Sequence, residues 1–223
     1  MKSKKKNVLA GEVPDFNYKI ILVGNKRVGK TSITNRAVFE EFNESEQSTR
    51  VVQISQKTIN IEGTDKWTQL HIWDTLGQEK FMALAPLFFR RAVGAFLVYD
   101  VCSMESFRAL DKWYEQILKN TDTKVIVMLL GNKRDKNNRE VPYNVAMQYA
   151  IERNFGLVEV SAKSGFGINE AFNRLITEIY KFQTLEFAIE ENIRNPNKKK
   201  GNGMAVPTTT LGGSTAHKNS LTL

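Results

Sequence analysis

The chain has 223 residues, 41% hydrophobic and 25% charged, which supports one sizeable domain with a proper core and excludes wholesale disorder. Its net charge of +8 sits at the ends: Lys2, Lys4, Lys5 and Lys6 begin it, Lys198, Lys199, Lys200 and Lys218 close it, and residues 1–7 and 195–223 hold no acid. The body from Val8 to Arg194 is therefore neutral, so a basic nucleic-acid-binding face gets no support and no specific nucleic-acid binding is expected.

In chain order, Tyr18–Val23 is a short β-branched run that predicts a buried strand ending at Gly24. Helical patterning follows from Lys30 to about Phe39, and the polar stretch Asn43–Thr49 predicts a loop. Alternating stretches Val51–Ile61 and Lys66–Trp73 flank Glu62-Gly63-Thr64-Asp65 and predict a β-hairpin. The pattern then becomes strand and helix in turn: Ala95–Tyr99, a helix over Met104–Lys119, Lys124–Leu130, a helix over Pro142–Asn154, Leu157–Val160, and a last helix from Ile168 to about Ile193. Such alternation predicts an α/β fold with a mostly parallel sheet covered on both faces, the hairpin adding one antiparallel strand. Beyond Asn195 the Pro, Asn, Gly, Thr and Ser content predicts a disordered basic and polar tail.

Gly24-Asn25-Lys26-Arg27-Val28-Gly29-Lys30-Thr31 fits G-x-x-x-x-G-K-T between a predicted strand and a predicted helix, the pattern of a P-loop NTPase. Backbone N–H groups of such a loop wrap a β-phosphate, Lys30 bridges β and γ oxygens, and the Thr31 hydroxyl can ligate Mg²⁺. Ser32 follows in the same first turn. A dinucleotide fingerprint is excluded, because the middle glycine of G-x-G-x-x-G is absent.

Base identity must come from elsewhere. Asn132-Lys133-Arg134-Asp135 and Ser161-Ala162-Lys163 each follow a predicted strand, at the carboxyl ends where open α/β sheets bind ligands. The Asp135 carboxylate can accept from the N1–H and exocyclic amine of guanine, whereas adenine would leave it facing the wrong edge. Lys133 can lie along the base plane, and the Ala162 N–H can meet guanine O6. Asp74-Thr75-Leu76-Gly77-Gln78 supplies the remaining chemistry: Asp74 holds Mg²⁺ through water, the Gly77 N–H meets the γ-phosphate, and Gln78 orients the attacking water. Thr49 is the candidate second hydroxyl on Mg²⁺ when a γ-phosphate draws its loop inward. The expected ligands are GTP or GDP with Mg²⁺, and the expected catalytic residues are Gln78 and Lys30.

These residues resemble the Ras superfamily of small GTPases, and within it the Rab family. The Rab similarity lies in Trp73-Asp74-Thr75-Leu76-Gly77-Gln78-Glu79-Lys80-Phe81, in Phe88-Phe89-Arg90-Arg91-Ala92 and in Leu97-Val98-Tyr99-Asp100-Val101; the run Phe81–Pro86 looks most like endosomal members. It covers 18–182, leaving 1–17 as a basic flexible extension, 183–194 as an extension of the last helix, and 195–223 as the tail. The resemblance implies a six-stranded sheet with about five helices, a nucleotide-controlled switch in vesicle traffic, exchange factors, GTPase-activating proteins and effectors. It also puts Phe42 against the guanine and makes Thr49 the switch threonine.

Departures from the family are equally plain. The sequence ends Ser220-Leu221-Thr222-Leu223 where the family has prenylated cysteines, and Lys2 stands where myristoylation needs glycine, so no lipid anchor is expected on the sequence as given. The lysine-rich tails leave two readings, weak contact with an anionic membrane surface or ordinary solvated charges. Lys26 and Arg27 replace small residues of the phosphate loop, and Leu76 replaces alanine. Bulk at Lys26 would displace Gln78 or obstruct an incoming arginine finger; alternatively Lys26 or Arg27 supplies that charge in cis, or both simply point into solvent. A hydrolysis-impaired, nucleotide-bound scaffold is therefore the rival reading. Arg50 and Ile54 depart from the family where effector surface is built. The single Cys102 excludes an intramolecular disulfide, and no apolar run reaches the ~18 residues of a membrane span, so a cytoplasmic protein, peripheral on endomembranes at most, is expected. His71, inside the hairpin strand, and Cys102 both read as structural.

Overall fold

The computed structural model describes residues 13–44, 52–75 and 85–194. Strand β1 (Phe16–Val23) starts two residues before the predicted run, and burial on both faces of the sheet explains why Ile20–Val23 is apolar without alternation. Tyr18, Ile20 and Leu22 enter one core cluster, while Ile21 and Val23 enter the other on the opposite face of the sheet. Each fully buried aliphatic side chain of this kind contributes about 1.5–3 kcal/mol.

Helix α1 (Lys30–Phe39) matches its predicted span and buries Ile33, Thr34 and Ala37. The hairpin is present as β2 (Gln53–Asn60) and β3 (Trp67–Asp74), closed by an Ile61 N–H to Lys66 carbonyl bond of 2.8 Å. A short helix α2 (Ala85–Phe89), which the sequence pattern did not predict, precedes β4 (Gly94–Asp100). The single helix expected over Met104–Lys119 is two segments, α3 (Met104–Arg108) and α4 (Leu110–Asn120), meeting at Ala109. Then come β5 (Ile126–Asn132), α5 (Tyr143–Glu152), β6 (Gly156–Glu159) and α6 (Ile168–Arg194). With α3 and α4 adjoining, the expected five or so helices are accounted for.

The strands form one six-stranded sheet in the order β2-β3-β1-β4-β5-β6. Only β2 against β3 is antiparallel; the other four pairings are parallel, as expected. After β1 the chain places β2 and β3 on one side of it and β4 on the other, so strand order reverses at β1. In such sheets ligands bind at that reversal, outside the carboxyl ends of the strands. Those ends carry Val23, Asp74, Asp100, Asn132 and Glu159, all on one edge.

The chain divides into two units, Met1–Thr184 and Leu185–Leu223. The first holds the sheet and both core clusters. Of the second, residues 185–194 are described, as the end of α6 with every residue exposed. No helix among the described residues is long and apolar enough to cross a membrane.

Candidate nucleotide-binding site

The loop after β1 is shaped by two glycines. Gly24 has φ 150°, and a Cβ there would lie inside the van der Waals shell of the Val98 carbonyl, so the loop can lie this close to β4 only without a side chain. Gly29 has φ 97°, in the left-handed region, and a Cβ on it would collide with the Asn132 amide. Arg27 takes φ 65°, a conformation costly for a side-chain-bearing residue, and these alternations fold the loop back over the start of α1.

Lys30 curls into this concavity, its ammonium donating to the carbonyls of Gly24 at 2.9 Å and Asn25 at 3.0 Å. It is 5% exposed, and burial pushes its pKa down to about 8 against the opposing influence of the Asp74 carboxylate. No side chain caps α1. A buried cation beneath an uncapped helix start suits a phosphate.

Beside the cradle, the Thr31 hydroxyl donates to Asp74 Oδ2 at 2.5 Å. The next residue, Thr75, donates its hydroxyl to the Leu22 carbonyl at 2.5 Å, which pins the exit of β3 to β1. Thr31 and Asp74 thus bring two hard oxygen donors together, a set that fits Mg²⁺ sharing its remaining positions with phosphate and water.

Asn132 joins the phosphate loop to the base loops. Its amide nitrogen donates to the Val28 carbonyl at 2.8 Å, and its amide oxygen accepts the Ala162 N–H at 3.1 Å. The Ala162 N–H, expected to meet guanine O6, is therefore already engaged, and a purine oxygen would share it. Lys133, at φ 67°, donates to the Arg27 carbonyl at 2.8 Å and pairs with Asp100 at 2.7 Å. Asp135 accepts the Ser161 hydroxyl on Oδ1 at 2.6 Å. The Arg134 N–H reaches the Val160 carbonyl at 3.1 Å, so the two base loops are tied through backbone as well.

Of the sequence-predicted residues, Gly24, Asn25, Lys26, Arg27, Val28, Gly29, Lys30, Thr31, Ser32, Asp74, Asn132, Lys133, Asp135, Ser161, Ala162 and Lys163 lie on this edge of the sheet, at the last residues of β3 and β5, in the loops after β1, β5 and β6, or at the start of α1. Lys26 and Arg27 are exposed. Phe42 is half-buried and packs against the first core cluster. Thr49, Gly77 and Gln78 lie outside the described residues, as do Arg50 and Leu76. Cys102 is half-buried, with burial pushing its thiol pKa up.

Three residues at the site were not picked out as site residues in the sequence. Asp100, which holds Lys133, sits at the carboxyl end of β4, and the strand-end rule could have found it. Trp113 of α4 donates its indole N–H to Asn25 Oδ1 at 2.6 Å. Arg36 of α1 donates to the carbonyls of Ala162 at 2.9 Å and Lys163 at 2.8 Å. The last two carried no local signal, since their partners lie 88 and 126 or more residues away.

The Ras family pattern matches residues 19–181. The chain is 35% identical to Ras-related protein rab-11.1 of Caenorhabditis elegans, over 75% of this chain and 79% of that protein. It is 32% identical to Ras-related protein RABA4b of Arabidopsis thaliana, over 86% of each, and 35% identical to RABA1b of the same plant, over 75% and 77%. The family pattern and the length of these matches lead to one conclusion: the chain belongs to the Ras family of small GTPases, on its Rab branch.

Proposed function

We propose that residues 18–182 form the switch domain, in which Gly24–Ser32 holds the phosphates, Asn132, Lys133, Asp135 and Ser161–Lys163 hold guanine, and Gln78 orients the attacking water. As a Rab-branch member the protein binds guanine nucleotide, hydrolyses GTP and acts as a switch in membrane traffic. The observation that carries the residue assignment is the Asn132 side chain, which bonds both the Gly24–Ser32 loop and the Ser161–Lys163 loop and ties them together.

Lys30 places its charge on the β and γ oxygens, where negative charge is spread in the transition state. Gln78 holds water for in-line attack on the γ-phosphorus, and Thr49 and Gly77 sense the γ-phosphate and set the switch loops. Thr31 directly, Thr49 in the GTP state and Asp74 through water would hold Mg²⁺. When bound, Mg²⁺ would supply positive charge that neutralises the phosphates. Phe42 covers the guanine once nucleotide is in place. Exchange factors, GTPase-activating proteins and effectors act on the switch loops, and the lysines of 1–17 and 195–223 favour weak peripheral contact with anionic endomembranes.

Asp135→Asn tests the base assignment. The amide would set a donor against the guanine amine, but could donate to the O2 of xanthine. GDP affinity should fall by about 100-fold or more while XDP affinity rises, read by competition with a fluorescent nucleotide. Unchanged GDP binding in this variant would contradict the assignment.

A further inference from the structure

We propose that Arg36 is a positioning residue for guanine recognition, acting from α1 through the Ser161–Lys163 loop to orient the Asp135 carboxylate; this rests on the nucleotide reading above.

Arg36 lies on the same helix that begins with the phosphate-site Lys30, about 9 Å further along its axis. Its guanidinium is spent on main-chain carbonyls. Nε donates to Ala162 at 2.9 Å, Nη2 to Lys163 at 2.8 Å, and Nη1 to Glu40 at the end of α1. The planar fork thereby holds two consecutive carbonyls of the base loop. Gly165 lies alongside, a Cβ there coming within 3.6 Å of Arg36 Cδ, so the loop rests on the arginine stem as well.

A trans peptide points its C=O and the following N–H in opposite directions. Holding the Lys163 carbonyl toward α1 therefore turns the Ser164 N–H the other way, where it donates to Ser161 Oγ at 3.0 Å. Ser161 in turn donates its hydroxyl to Asp135 Oδ1 at 2.6 Å. Arg36, the 163–164 peptide, Ser161 and Asp135 form one relay, and the last member is the carboxylate that reads the guanine edge. By the same geometry, holding the Ala162 carbonyl directs the Lys163 N–H away from α1. The relay also joins both ends of the nucleotide, since Lys30 and Arg36 share one rigid helix.

The test compares wild type with Arg36→Met and Arg36→Lys, measuring dissociation of fluorescent GDP and competition by GDP and IDP, which lacks the exocyclic amine that Asp135 reads. Arg36→Met is expected to release GDP at least tenfold faster and to lose most of its preference for GDP over IDP. Arg36→Lys keeps the charge without the fork, and is expected to fold and to recover only part of that preference. Should Arg36→Met not fold, Arg36→Lys decides alone: a diminished GDP preference supports the relay. An unchanged GDP to IDP ratio in the folded variants, even with faster release of both, overturns it and leaves Arg36 a purely structural bond. Failure of wild type to bind guanine nucleotide would instead strike at the nucleotide reading itself.

Discussion

Lys30 is the residue whose titration reports on the site. Free of ligand its pKa is lowered from 10.5 to about 8 by burial. Between those values the folded protein has released a proton that the unfolded chain keeps, so the stability cost of burying the cation is relieved as pH rises through that window. A bound phosphate would hold the proton on. Nucleotide binding should therefore take up protons, little near pH 7 and a growing fraction at about pH 8.5, below the range in which the guanine N1–H itself titrates. Calorimetry in buffers of different ionisation enthalpy reads this directly. No proton uptake at the higher pH would mean that phosphate does not reach Lys30. Lys26 is the second residue-scale question, because it stands exposed in the same loop. If its bulk obstructs the catalytic arrangement, Lys26→Gly hydrolyses GTP several-fold faster in a single turnover; a slower variant would instead mark Lys26 as a charge supplied in cis.

At the scale of elements, α4 has a part in the site that its position does not advertise. Trp113 is 3% exposed, and its indole N–H bond to Asn25 fixes the phosphate loop against the helix. Replacing it by Phe removes that bond and leaves a part-buried amide oxygen without its donor. We expect Trp113→Phe to cost about 1–3 kcal/mol in denaturant unfolding and to speed GDP release. Unaltered stability and release together would show that the bond is replaced by water at no loss. The pairing was invisible in the sequence because a tryptophan at helical spacing signals a core face and nothing more. Periodicity did reveal β1, α1 and the hairpin, whose local patterns are strong. It missed α2, five residues being too short to show a period, and it ran α3 into α4. The break at Ala109 is slight: the residue stays in the right-handed region at φ −78° and ψ −6°, closes α3 with its N–H on the Glu105 carbonyl at 3.1 Å, and accepts the Trp113 N–H of α4 at 3.3 Å.

For the whole molecule, the sheet explains why distant motifs lie together at one edge. Chemistry-bearing residues sit at the carboxyl ends of β1, β3, β4, β5 and β6, so the topology alone gathers them. The motifs themselves were legible, because phosphate and base recognition demand particular residue types in short runs. Their cross-links were not: Asn132 to Val28 and Arg36 to Ala162 join residues more than a hundred positions apart, and a single sequence holds no record of which distant groups meet. The central claim is a hydrolytic switch, and single-turnover GTP hydrolysis with Mg²⁺, by wild type and Gln78→Leu with bound nucleotide followed by chromatography, tests it most directly. The account predicts slow conversion of bound GTP to GDP in wild type and its loss in Gln78→Leu. Wild type and Gln78→Leu equally inert, with guanine nucleotide still bound to both, would contradict it.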